Sequence, residues 1–304
     1  MIDGNLTDWF SVLVGVRQGC ILSPMLFNIF LEFVMDELKS LNEFRLKNDM
    51  AADIRYADDT TLVSAIFSKL KLSTQELEIA CMKWGLKING DKCKIISPET
   101  EDIEINGEPV ENVDSFVFLG SSITNTTDDV KRRIALACSA FGRLKTNLWN
   151  RRGITNALKT RLYFSLILPI AIYGSETWTL KAGDCNRLLV FENDCLRSLI
   201  GKSRRDRCKL KDIRSQLKVK KNIIEVIRKK RLLWFGHITR RGEESYVYRS
   251  YKQEFSGSRP RGRPPKRWSD QIRADLKMPL LTLERRAADR NRWKQYVETK
   301  RGKI

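Results

Sequence analysis

The chain has 304 residues, enough for two or three compact units with cores of their own, and its 42% hydrophobic content argues against wholesale disorder. Its net charge of +19 is uneven: residues 1–125 hold 11 Lys/Arg against 20 Asp/Glu (net −9), and residues 126–304 hold 45 against 17 (net +28). No stretch reaches the roughly 18 consecutive apolar residues of a membrane-spanning helix, so no membrane partner is expected, whereas a basic half of this size normally faces a polyanion, nucleic acid first among them.

Seven scattered cysteines, an odd number, argue against a disulfide framework and for a reducing compartment. Cys185, Cys195, Cys208 and His237 match no compact zinc-finger spacing. The first twenty residues lack the basic start and apolar block of a secretory signal.

In chain order, residues 9–16 read as a strand, and Gly15 and Gly19 punctuate a turn. Ser23-Pro24 then opens a helix with Ser as cap and Pro in the first turn. The run Met25–Leu41 is apolar on most faces, which predicts a buried helix. A capping box at Ser73-Thr74-Gln75-Glu76 precedes Leu77, Ala80, Cys81 and Trp84 at helical spacing, with Gly85 as terminator. Lys92–Ile96 and Ser115–Leu119 read as strands. From about Asp128 the pattern turns helical, over roughly 128–149, 155–168, 184–200 and 222–235. A Ser/Gly/Arg/Pro-rich linker follows, and an amphipathic segment over Trp268–Tyr296 closes the chain.

Between two short strand-like runs, IRYADDTTLV (54–63) places Asp58 beside Asp59. Adjacent carboxylates repel and Asp is a poor strand residue, so the residues alone leave two readings open: a solvated hairpin turn, or a turn that holds a cation.

Several segments in order resemble the reverse transcriptases of LINE-type (non-LTR) retrotransposons, especially the RTE-like branch. They are Gly15-Val16-Arg17-Gln18-Gly19-Cys20-Ile21-Leu22-Ser23-Pro24, Tyr56-Ala57-Asp58-Asp59, Gly85-Leu86-Lys87-Ile88-Asn89 with Lys92, and Phe118-Leu119-Gly120. Ile172-Tyr173-Gly174-Ser175-Glu176-Thr177-Trp178 and Leu233-Trp234-Phe235-Gly236-His237 extend the likeness over nearly the whole chain.

The resemblance implies an α+β fold: a partial polymerase palm over residues 1–120, an antiparallel sheet with packed helices, then a helical thumb or connection over 121–253. It implies an RNA-directed DNA polymerase that joins deoxynucleoside triphosphates on an RNA template and DNA primer. Asp58 and Asp59 would hold two Mg²⁺ ions, or Mn²⁺ in their place, that clamp the attacking hydroxyl and the leaving phosphate. By the same resemblance Gln18, Gly19 and Tyr56 lie near the incoming nucleotide and template. Lys92 neutralises or protonates the leaving pyrophosphate, and Phe118, Leu119 and Gly120 grip the primer.

The family's first catalytic Asp, on a strand several dozen residues before the Gln-Gly motif, has no counterpart here: only Asp3 and Asp8 precede Gly15. The fingers and the endonuclease common in such elements have none either. The expectation is therefore an N-terminally truncated product, inactive on its own.

Arg259-Pro260-Arg261-Gly262-Arg263-Pro264-Pro265-Lys266-Arg267, within the basic linker 254–267, contains Arg-Gly-Arg-Pro, the core of an AT-hook. Glycine between arginines lets an extended backbone approach the floor of a narrow A·T minor groove, and a flexible phosphate-binding linker is the plainer reading. Residues 268–304 form the last helical segment. Lys202–Arg207 and Arg228-Lys229-Lys230-Arg231 are further phosphate-binding or nuclear-import candidates, consistent with a nuclear or cytoplasmic location. Trp234 and Phe235 are candidates for base stacking or core packing. The rival function is a non-catalytic nucleic-acid-binding module using the basic thumb and tail.

Overall fold

The computed structural model describes residues 15–17, 19–38, 53–99, 101–253 and 266–299. Its backbone divides into two compact units, Met1–Asp114 and Ser115–Ile304. Among the described residues the chain is rich in helix with three two-stranded antiparallel sheets, an α+β composition.

In the first unit, α1 (Ser23–Asp36) carries Leu31, Val34 and Met35 on one face, at the spacing of successive helical turns. With Leu38 they pack against Ala80 and Cys81 of α2 (Phe67–Lys83). Glu37 accepts from Lys83 Nζ at 2.9 Å and from Trp84 Nε1 at 2.8 Å, and the Trp84 ring meets Phe30 edge-on. The expectation of a helix buried on most faces is corrected here. Met25, Leu26, Ile29 and Phe33 are each more than half exposed, because only the one stripe has a partner among the described residues. Ser23 is not the cap either: Leu22 is, and the Ser23 hydroxyl donates to the Arg17 carbonyl at 2.7 Å.

The capping box at Ser73–Glu76 is likewise overridden, since α2 begins six residues earlier, at Phe67. A turn at Ser64, whose hydroxyl accepts the Ile66 N–H at 3.2 Å, starts it. Ser73 and Thr74 become buried interior positions, and Thr74 Oγ1 donates to the Leu70 carbonyl. The helix ends as expected: Gly85 takes φ +73, and Leu86 N–H reaches back to the Cys81 carbonyl at 2.8 Å.

Strands β1 (Asp53–Tyr56) and β2 (Asp59–Leu62) form one hairpin, with Leu62 against the α1–α2 core. Strands β3 (Glu104–Ile105) and β4 (Glu108–Pro109) form another, closed by Asn106-Gly107 at φ +55 and +80. Lys92–Ile96 is not a strand. Asn89 Oδ1 accepts the Lys92 N–H at 3.3 Å and draws Gly90–Lys92 into a 3₁₀ turn, leaving one bridge from Ile95 to Asn112.

In the second unit β5 (Val117–Phe118) and β6 (Ser121–Ser122) lead into α3 (Thr126–Arg143), capped by Asn125. Helix α4 (Asn156–Leu162) continues through a wider turn, Tyr163–Ile167, into α5 (Leu168–Ala171). That π-type widening accommodates Pro169, which brings no N–H to the ladder. Helices α6 (Ala182–Leu199), α7 (Leu210–Gln216) and α8 (Ile223–Thr239) complete a core around Trp149, Tyr163, Trp178, Leu188 and Leu196.

Helix α8 serves two cores. Ile223 and Ile227 enter the first, while Leu232 and Phe235 enter a second built with Ile272, Leu276, Leu283 and Trp293. The Trp268–Tyr296 segment, expected as one stretch, is three helices after α9 (Tyr246–Lys252): α10 (Trp268–Leu276), α11 (Leu280–Ala287) and α12 (Arg290–Thr299). Lys277 at φ +53, with Pro279 behind it, breaks the first join. At the second, the Asp289 carboxylate accepts the Asn291 and Arg292 N–H groups.

Candidate active-site hairpin and its relatives

The β1–β2 register pairs Tyr56 with Asp59, Arg55 with Thr60, Ile54 with Thr61 and Asp53 with Leu62, leaving Ala57 and Asp58 as a two-residue turn. Ala57 takes φ +54, an uncommon conformation for a side chain with a Cβ and one that a tight hairpin turn demands. Strand alternation then sorts the residues. Asp53 and Arg55 share the half-buried face, while Ile54 and Tyr56 lie on the other, 49% and 65% exposed. Arg55 ties the first face down, its guanidinium 2.8 Å from Glu32 of α1 and 2.7 Å from Asp53.

Asp58 at the tip and Asp59 at the start of β2 are exposed. No ion pair to either carboxylate occurs among the described residues, although Arg55 lies only three positions before Asp58. The only basic side chain of the hairpin is thus held by Glu32 and Asp53, and among the described residues the like-charged pair has no counter-ion. Two adjacent carboxylates are the donors that a hard divalent cation prefers. They fit as part of such a site. Among the described residues no group of three or more His, Cys, Asp or Glu stands together to complete it.

Gly19 has φ +83, and a Cβ there would meet nothing within 4 Å, so glycine serves the turn's conformation and not a close approach within this chain. Gln18 lies outside the described residues, as do Arg259, Arg261, Gly262 and Arg263. Lys92 is exposed at the end of its 3₁₀ turn, and no hydrogen bond or ion pair joins it to Asp58 or Asp59 among the described residues.

Phe118, Leu119 and Gly120 belong to the second unit. Leu119 (φ +46) and Gly120 (φ +79) form the two-residue turn between β5 and β6. A leucine at positive φ is strained, and the turn is held from below. Tyr173 Oη donates to the Leu119 carbonyl at 3.0 Å. Arg132 Nη1 donates to the Gly120 carbonyl at 2.7 Å, and Arg133 donates to the same oxygen. The Arg133 guanidinium stacks 4.1 Å from the centre of the Tyr173 ring. Sequence reading missed Arg132, Arg133 and Tyr173 as the hairpin's clamp; the trace was the Tyr173-Gly174 step, where Gly174 at φ +69 turns the chain against Ser121.

The Arg228–Arg231 cluster, expected as a phosphate-binding run, is engaged within the fold. Arg231 is 4% exposed, with Nη2 2.9 Å from Asp275 and further hydrogen bonds to Gln271 and the Trp178 carbonyl. Arg228 also reaches Asp275, Lys229 pairs with Glu298 at 3.0 Å, and Lys230 bridges Glu176 and the Ile172 carbonyl. These cations tie α8 to its neighbours, because a buried guanidinium must be matched by carboxylates and carbonyls. Lys266 and Arg267 are exposed; the Arg267 N–H donates to Asp270 at the start of α10. Phe235 is fully buried, which settles it as core.

Residues 1–123 match the family described as reverse transcriptase (RNA-dependent DNA polymerase). An uncharacterised transposon-derived protein of Caenorhabditis elegans is 27% identical, the match covering 76% of this chain and 88% of that protein. In Drosophila melanogaster, the RNA-directed DNA polymerase assigned to transposon BS is 27% identical over 61% of this chain, and that of mobile element jockey is 23% identical over 66%. The chain spans only 22% and 23% of those two polymerases' own lengths. No solved structure matches it. The ordered motifs, the family match over residues 1–123 and these relatives together support a fragment of a reverse transcriptase of the LINE-type (non-LTR) retrotransposons.

Proposed function

We propose that the β1–β2 hairpin is the metal-holding turn of a polymerase palm that copies RNA into DNA. On this reading residues 1–120 are part of the palm, 121–253 a thumb or connection, 254–267 a basic arm able to lie along DNA, and 268–304 a helical end segment. The observation that carries it is the exposed Asp58–Asp59 pair on a strained two-residue turn, with its neighbouring cation engaged elsewhere. Asp58 and Asp59 would hold divalent cations there, and such ions neutralise charge on the attacking and leaving oxygens when bound. The protein's own part is positional: the Arg55 ion pairs fix the hairpin on α1, and the Tyr173–Arg132–Arg133 clamp fixes the Phe118–Gly120 turn where a primer strand would be gripped. Lys92 would supply charge or a proton to the departing pyrophosphate, and the Gln18–Gly19 segment would lie along the template.

RNA template, DNA primer and deoxynucleoside triphosphates are the partners this implies, in the nucleus or the cytoplasm. The non-catalytic binding module is not favoured, since the matched family and relatives are polymerases. Among the described residues no third ligand joins the two carboxylates, and two alone define two-metal geometry poorly, so the 304-residue chain alone should not extend a primer. The test is a chimera in which residues 15–123 replace the matching segment of a longer relative. Mg²⁺-dependent extension of an oligo(dT) primer on poly(rA), abolished by Asp58→Asn or Asp59→Asn, is the expected result. Undiminished synthesis by the doubly substituted chimera would overturn the assignment.

A further inference from the structure

While the first half of α8 engages its cations internally, its C-terminal end does the opposite. Trp234 and His237 stand at positions i and i+3 on one face of α8, and Arg241 follows just past the helix end. The indole and imidazole planes are stacked, with centroids 5.1 Å apart and 14° between planes. Trp234 is only half-buried and belongs to neither hydrophobic core, and His237 is exposed. Arg241 Nε donates to His237 Nε2 at 3.2 Å, which holds a guanidinium beside the stacked pair.

Further cations converge on this face. Arg240 folds back to the Ala287 carbonyl at 2.7 Å, at the end of α11, and α12 starts three residues later with Arg290. Together with partial burial, the charges of Arg241, Arg240 and Arg290 lower the His237 pKa. Among the described residues Arg241 and Arg290 form no ion pair. Asp289 is turned to Arg292 and the α12 backbone and also attracts Arg240, and among the described residues Glu243 and Glu244 make no ion pair with Arg241. Arg240 and Tyr248 also line a cavity of about 410 Å³ beside this end of the helix.

Mutually repelling cations around an exposed aromatic plane need an external anion, and the plane selects one that offers flat faces as well as charge. Double-stranded nucleic acid meets only half of that requirement, because its base faces are stacked away. We propose that Trp234, His237, Arg241 and Arg290 form a binding surface for single-stranded nucleic acid, with a base stacked on the indole–imidazole pair and phosphates on the two arginines. The surface does not rest on the hairpin's metal chemistry and would persist if that reading failed.

The experiment uses the 304-residue chain and a fluorescently labelled dT₂₀, with its abasic counterpart and a blunt duplex as comparisons, read by anisotropy across a salt series. Arg241→Gln/Arg290→Gln should make the log–log salt dependence shallower by about 1.4, from roughly 0.7 per phosphate contact on single strands. Trp234→Leu should weaken dT₂₀ binding about tenfold and leave abasic binding unchanged. Because His237 is the single histidine, its imidazole proton resonances give a local readout, and dT₂₀ should shift them in the unsubstituted chain. Circular dichroism confirms that each variant is folded. Unmoved His237 resonances at saturation, an unchanged salt slope in the arginine variant, or equally tight binding of duplex and abasic strands would each overturn the proposal.

Discussion

The two units use charge in opposite ways. In the first, the acidic pair at the hairpin tip is exposed and makes no ion pair among the described residues, while Arg55 of the same hairpin is held by Glu32 and Asp53. In the second, Asp129, Asp184, Glu192 and Arg231 are each at most 4% exposed, and each has hydrogen-bond or ion-pair partners. Asp129 accepts from the Trp178 indole at 2.8 Å, and Asp184 takes the Lys181 N–H and the Thr127 hydroxyl while pairing with Arg187. A formal charge is therefore a poor guide to a binding surface. The question is whether the fold itself supplies the counter-charge, and in the second unit it does so for the Arg228–Arg231 run.

The sharpest way to break this contrast is to remove one half of a buried pair. Arg231→Ala leaves Asp275 facing Arg228 alone within the second core, and should lower unfolding stability by about 3–5 kcal/mol in denaturant titrations. A loss under 1 kcal/mol would mean the cluster is a solvated surface after all. Next in size is Gly236→Ala. A Cβ there would come within 2.4 Å of the Trp293 ring, which is 1% exposed and fixed by its indole N–H to the Leu232 carbonyl. About 1–3 kcal/mol should be lost to the forced shift, visible as a lowered thermal midpoint.

A smaller effect concerns pH. Burial raises the Glu192 carboxyl above its ordinary 4.5 despite Arg214, and likewise raises Asp275 above 3.8 despite Arg231 and Arg228. A raised carboxylate pKa means the folded state binds the proton more tightly. The associated stability is complete below the unfolded-state value and fades as pH rises through the folded one. Glu192→Gln should flatten this fall above pH 4.5 in unfolding titrations, and an unaltered profile would assign the slope to other groups.

How much was legible in advance divides along the same line. Motifs with fixed local chemistry were readable: the Asp58–Asp59 turn and the Gly85 helix end follow from short-range rules. Readings failed where a longer-range or competing partner decided. Ser73 looked like a cap until the turn at Ser64 started the helix earlier, and Lys92 left its strand because Asn89 captured its N–H. The Asn106-Gly107 hairpin was plain in the sequence and was passed over. The Arg228–Arg231 run had no local sign of its fate, since Asp275, Glu298 and Glu176 lie 44 to 69 positions away.

The last prediction turns on Asp58 and Asp59, which make no ion pair among the described residues. If Asp58 and Asp59 contributed to folding as Arg231 does, neutralising them would be costly. Their exposed side chains and mutual repulsion argue the reverse. Asp58→Asn and Asp59→Asn should leave the thermal midpoint of the chain unchanged or slightly raised, within about 0.5 kcal/mol, while adding millimolar Mg²⁺ should stabilise only the unsubstituted chain. A marked loss of stability on either substitution would make the pair structural, and the charge contrast between the units would then disappear. An equal response of both proteins to Mg²⁺ would move the ion away from this turn, leaving the hairpin as a solvated bend whose repulsion the surrounding water is sufficient to screen.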